Sequence, residues 1–77
     1  MKNYYNYETP VFDTRKEAEQ VINGMLDVAK KYSFVTVADM YDLANVLASY
    51  VDNKYGWVYD QIKNIYPKIR KDGRYEI

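Results

Sequence analysis

The sequence predicts an α+β domain with two main helices at about 15–32 and 37–47, a short third helix, and a C-terminal β-hairpin at about 65–77. Three observations lead there. Thr14-Arg15-Lys16-Glu17 opens a long run of helical spacing, Thr36 to Asp39 opens a second, and Asp72-Gly73 separates two strand-like runs. At 77 residues the chain makes one domain, and a chain this short buries only about 60% of its unfolded surface. It has no Cys and no His, so disulfides, thiolate metal sites and the commonest general base are all excluded. Packing, capping or association must therefore stabilise it.

The first twelve residues are polar and tyrosine-rich. Tyr5 and Tyr7 alternate with Asn6 and Glu8, which permits a short strand, and Pro10 would end it or hold it at a sheet edge. Residues 1–13 are thus a tyrosine-rich arm or a short strand, and 14–77 form the globular domain. Three tyrosines this close are an odd composition for pure disorder, so the arm is expected to dock.

The first helix starts at a capping box, in which the Thr14 hydroxyl accepts from the Glu17 amide and the Glu17 side chain reaches back. Ala18, Val21, Ile22, Met25, Leu26, Ala29 and Tyr32 then follow one helical face. Lys30 and Lys31 sit at the end the helix dipole favours for cations. Gly24 falls on the polar side and costs about 1 kcal/mol relative to Ala.

Phe34-Val35 is a short apolar link to the next cap, Thr36, with Asp39 at the third helical position. In the second helix Val37, Met40, Tyr41 and Ala44 make one stripe, and Leu43 and Val46 add a second side. This helix is therefore expected to be the more completely buried. Asn45 tolerates the left-handed conformation and can end it; otherwise it continues through Leu47.

Asp52 to Trp57 reads as a loop turning at Gly56, followed by the third helix at about Val58–Lys63. The hairpin allows two registers. A three-residue turn with Gly73 left-handed pairs Ile69 with Tyr75 and collects the apolar residues on one face, and we prefer it to a two-residue turn. Pro67 places its strand at an edge or bulge.

Catalytic, cofactor and metal residues are not predicted. Ser33 and Ser49 have no base to activate them. Asp39 and Asp42 lie three apart on a helix, but capping and solvation account for them. Asp52-Asn53 does not continue as a calcium loop.

Two binding regions are predicted. Tyrosine combines a large ring with a polar tip and is enriched at interfaces, and ten of the aromatic residues are Tyr. Tyr4, Tyr5, Tyr7, Tyr50, Asp52, Asn53, Lys54 and Tyr55 are the candidate partner-binding residues. Trp57, the only Trp, is read instead as the plug of the core. The second region follows from charge. Net charge is zero, but residues 39–62 carry −3 and 63–77 carry +3. Lys63, Lys68, Arg70, Lys71 and Arg74 are the candidate nucleic-acid-binding residues. Helix, capped short helix, third helix and hairpin is also the order of a winged helix. Against that reading, the recognition segment contains Gly56 and Asp60.

Val35 to Leu43 (VTVADMYDL), Tyr50 to Trp57 (YVDNKYGW) and Asp72 to Tyr75 (DGRY) together resemble small uncharacterised proteins encoded by phages and mobile elements of Gram-positive bacteria. Asn45 and Val51 depart from the pattern, where such proteins often carry Gly and Thr. The resemblance implies a genetic context and no mechanism. It suggests a non-catalytic accessory protein in the host cytoplasm that binds a host protein or ribonucleoprotein, as inhibitors of CRISPR nucleases do. The alternative is a winged-helix-like nucleic-acid-binding regulator. No apolar run approaches membrane-spanning length. No cofactor is expected, and a homodimer is compatible with the composition.

Overall fold

The computed structural model describes residues 7–77. The element order is β1 (Val11–Phe12), α1 (Arg15–Tyr32), β2 (Val35–Thr36), α2 (Val37–Leu43), a 3-10 helix (Tyr50–Lys54), β3 (Gly56–Trp57), α3 (Tyr59–Ile62), β4 (Lys68–Ile69) and β5 (Tyr75–Glu76). The architecture is α+β, as the sequence predicts. One antiparallel sheet has the order β1-β5-β4, and a second pairs β2 with β3.

Helix α1 begins where the capping box places it. The Glu17 amide donates to Thr14 Oγ1 at 3.2 Å, and Glu17 Oε1 accepts from the Thr14 amide at 3.1 Å. Ala18, Val21, Ile22, Met25 and Ala29 form its buried face. Tyr32 does not join them and is exposed, because Ser33 turns left-handed (φ 68°) and ends the helix there. Helix α1 packs on α2, β2, α3 and β1. Met25, Met40, Val35 and Val37 are the largest fully buried side chains. Burying each contributes about 1.5–3 kcal/mol. Trp57 is only half-buried, so the plug of the core is this Met/Val group rather than the indole. Gly24 is also not a solvent-side position. A Cβ there would lie 2.8 Å from Leu43 Cδ2, so its small size brings α1 and α2 close.

The link at 34–35 and the expected loop at 52–57 prove to be one structure. Val35 pairs with Trp57 and Thr36 with Gly56, and the Val37 amide donates to Tyr55 O at 2.8 Å. Gly56 does not make a turn; it is a buried strand residue. An added Cβ would overlap the Val35 carbonyl oxygen and lie 2.6 Å from Thr36 Cα. Thr36 is both a strand residue and the N-cap of α2. Its amide, turned away from β3 by the ladder's alternation, is taken by Asp39 Oδ2 at 2.9 Å, while Thr36 Oγ1 accepts from the Asp39 amide at 3.0 Å.

Helix α2 ends at Leu43, with Asn45 left-handed just beyond it as its sequence allows; the longer reading, to 47, does not hold. It is the more completely buried helix, as expected: Val37, Ala38, Met40 and Tyr41 are buried, four of its seven residues against five of eighteen in α1, although Leu43 and Val46 are exposed. The third helix is confirmed in place but is shorter, and Gln61 Oε1 caps it by accepting from the Val58 amide at 2.9 Å.

The hairpin adopts the three-residue-turn register. Ile69 faces Tyr75, Gly73 has φ 87°, and the Arg70 amide donates to Arg74 O at 2.7 Å. Its strands are two residues each rather than the expected 65–71 and 74–77, and Ile69 stays exposed. Strand β1 forms just after Pro10 and pairs with β5 at one edge of the sheet, so Pro10 leads into an edge strand and does not end one. The Tyr4 and Tyr5 part of the predicted arm lies outside the described residues.

Replacing Gly56 by Ala should destabilise the fold by at least about 3 kcal/mol, because the new methyl meets backbone that cannot move aside. Gly24→Ala should change stability by no more than about 1 kcal/mol, because helix propensity gained offsets a shift of the flexible Leu43 tip. Urea unfolding of the two variants checks the contrast; equal losses would contradict it.

Candidate interaction surface

The end of α2 determines what is presented. Asn45 is left-handed (φ 60°). Its amide donates to Asp42 O at 3.1 Å, and the next amide, Val46, donates to Tyr41 O at 2.8 Å. This is the Schellman pattern, with Asn in the place Gly usually holds. It satisfies the last carbonyls and turns the chain out of the helix. Beyond it Leu47 is 96% exposed.

The chain is caught again at Ser49. Its amide and hydroxyl donate to Asp52 Oδ2 at 2.8 and 3.2 Å, which starts the 3-10 helix. Asp52 is 4% exposed. Tyr50 is 77% exposed, and the Lys54 ammonium sits 5.0 Å from its ring centroid. Such a contact at an exposed site is worth about 0.5–1 kcal/mol and orients the ring.

The predicted partner-binding residues therefore separate. Tyr50, Asn53 and Lys54 lie exposed on one short element. Asp52 is internal and caps that element, so it positions the surface rather than forming it. Tyr55 is half-buried against the core. Tyr7 stands edge-on to Trp57, with centroids 5.6 Å apart and planes at 77°, beside a cleft of about 390 Å³ floored by Met25, Met40 and Ile62. Burial raises the Tyr7 phenol above its ordinary value. Tyr4 and Tyr5 lie outside the described residues.

Sequence reasoning missed the exposed apolar side chains of Leu43, at the end of α2, and of Val46, Leu47 and Val51, between α2 and β3. The usable signal was Asn45: once it ends the helix, these residues lose the periodicity that would bury them. Below them Tyr41 anchors the N-terminal segment, its hydroxyl donating to Glu8 O at 2.8 Å. Burial, and then the Asp52 charge, push its phenol above 10.0, so it remains a donor at neutral pH.

The hairpin cations are partly committed. Lys63 pairs with Asp60, Arg70 with Asp72 and Glu76, and Arg74 with Asp72. Lys68 and Lys71 have no ion pair among the described residues. Between α2 and the hairpin no long recognition helix forms, because β3 divides the 3-10 helix from the four-residue α3. Asp39 is occupied in capping, and the described residues contain no group of three carboxylates that could hold a metal. No described helix is long and apolar enough to cross a membrane. No family model, curated protein or solved structure matches the chain.

The Arg74 amide and guanidinium hold the Asp72 carboxyl at about 2, below its ordinary 3.8. A depressed carboxyl stabilises the fold above its unfolded value and loses that contribution as pH falls through the folded one. The turn should therefore stay ion-paired down to pH 3.8 and loosen between there and about 2. An NMR titration of the Asp72 carboxyl carbon checks this; a midpoint at the ordinary value would contradict it.

Proposed function

We propose that the protein is a non-catalytic binding protein that acts by occupying a surface of a host macromolecule. Leu47, Tyr50 and Val51 form the apolar part of the contact and Lys54 its charged edge. The observation that carries this reading is the exposure of Leu47 and Tyr50 on a segment fixed at both ends. A Schellman motif holds one end and the buried Asp52 the other. Large apolar side chains held out in water by an ordered backbone lose little freedom on binding, and Tyr is enriched among residues that dominate interfaces. The resemblance to phage and mobile-element proteins makes a host defence nuclease the most concrete target.

A nucleic-acid-binding reading rests on Lys68 and Lys71. It carries less, because phosphates would have to compete with Asp72 and Glu76 for the hairpin arginines.

The test combines a CRISPR-interference assay in a Gram-positive host with binding to the purified effector nuclease. The chain should reduce interference and bind the nuclease. Leu47→Asp and Tyr50→Ala should each weaken binding by about tenfold or more, as central interface residues do, without loss of helical circular dichroism. Unchanged binding by both variants would overturn this surface, and unchanged interference would remove the nuclease as target.

A further inference from the structure

The hairpin edge carries a second surface that the proposed function does not use. Strand β5 is paired on both sides, so β4 is an outer strand. The Arg70 amide bonds to Arg74 O, which makes that opposing pair a hydrogen-bonded one. Antiparallel pairs alternate, so in the next pair, Ile69 and Tyr75, the main-chain groups point away from each other. Those of Tyr75 turn to β1, and the N–H and C=O of Ile69 turn to the open edge. The same alternation sends the Pro67 carbonyl outward.

The side chains add a second observation. Ile69 and Phe12 are both cross-strand neighbours of Tyr75 and share its face of the sheet. Phe12 is buried and Tyr75 half-buried, yet Ile69 is 70% exposed. The inner, apolar face of the sheet thus extends one strand beyond what covers it. Lys68 and Lys71, the two hairpin cations without an ion pair among the described residues, flank this position.

We propose that β4 accepts an extended acidic segment of another protein as a fourth strand of the β1-β5-β4 sheet. Its main chain bonds to Ile69, an apolar side chain covers the Ile69 side chain, and its carboxylates meet Lys68 and Lys71. This is strand addition, in which main-chain bonds give affinity and side chains give selectivity. Charge decides the occupant. A second copy paired antiparallel about Ile69 would set Lys68 opposite Arg70 of that copy twice, and like charges in opposing positions are destabilising. The cations that blunt the edge against its own kind select an acidic strand. This surface is independent of the Leu47–Tyr50 loop.

The experiment is an amide NMR titration of the whole chain with a blocked, alternating glutamate–valine hexapeptide. Its comparisons are the same peptide with alternate N-methyl groups, a lysine–valine counterpart, and a random DNA duplex. Saturable shifts should centre on residues 67–71, and exchange of the Ile69 amide should slow. N-methylation should weaken binding by about tenfold or more. The exposed double substitution Lys68→Glu with Lys71→Glu should keep the fold and reverse the preference toward the lysine peptide. Absence of shifts at Ile69, equal binding of the N-methylated peptide, or shifts confined to 43–55 would overturn the proposal. A response to the duplex alone would also overturn it and assign the hairpin to phosphate contacts.

Discussion

The pairing of Val35-Thr36 with Gly56-Trp57 is the constraint on which the rest of the molecule depends. It joins points twenty residues apart with a two-residue ladder, and the approach is so close that only a residue without a side chain fits at 56. From one side of this strap Val35 enters the core, fully buried. From the same strand Thr36 starts α2, because the ladder leaves its amide free for Asp39. From the other strand Trp57 meets Tyr7. Everything between the strands, α2 and the 3-10 helix included, is a closed excursion whose ends are fixed. Fixed ends allow its middle to be apolar and exposed without collapsing onto the core.

The excursion is held internally by short-range bonds. An acid or amide three residues past each helix start recurs along the chain: Glu17, Asp39, Asp52 and Gln61 all accept from a main-chain amide three residues back. A small domain without disulfides gains from such caps, each worth about 1 kcal/mol. They also consume the charges that would otherwise suggest chemistry. Asp39 and Asp52 account for half of the acids in the acidic middle of the chain, and both are turned inward to backbone. The basic end is similarly moderated by Asp72 and Glu76. The opposite charges of the two halves, conspicuous in the sequence, are largely answered locally.

Legibility in the sequence followed the range of the interaction. Helix α1, the Thr36 cap and the hairpin register depend on residues three to eight apart, and each could be read from spacing and from the left-handed tolerance of Gly73. The strap could not, because it pairs 35–36 with 56–57, and neither run is long enough to show a strand period. Without it Gly56 looked like a turn and the segment before it like a loop. Trp57 was misplaced for a related reason: size argues for burial, but two methionines already fill the centre. Tyr50, Asn53 and Lys54 read as surface residues from composition, and they do lie on one exposed element. Leu47 and Val51 do not stand out in the same way, since hydrophobicity alone assigns such residues to a core.

Native-state hydrogen exchange tests the central claim most directly. If the strap organises the fold, the Val37 amide, bonded across it to Tyr55 O, exchanges only with global unfolding and as slowly as the amides in the middle of α1. The amides of Leu47 and Ala48 exchange far faster in the same molecule. Exchange at Val37 as fast as at Leu47, with α1 still protected, would show that the strap opens independently and would contradict the account.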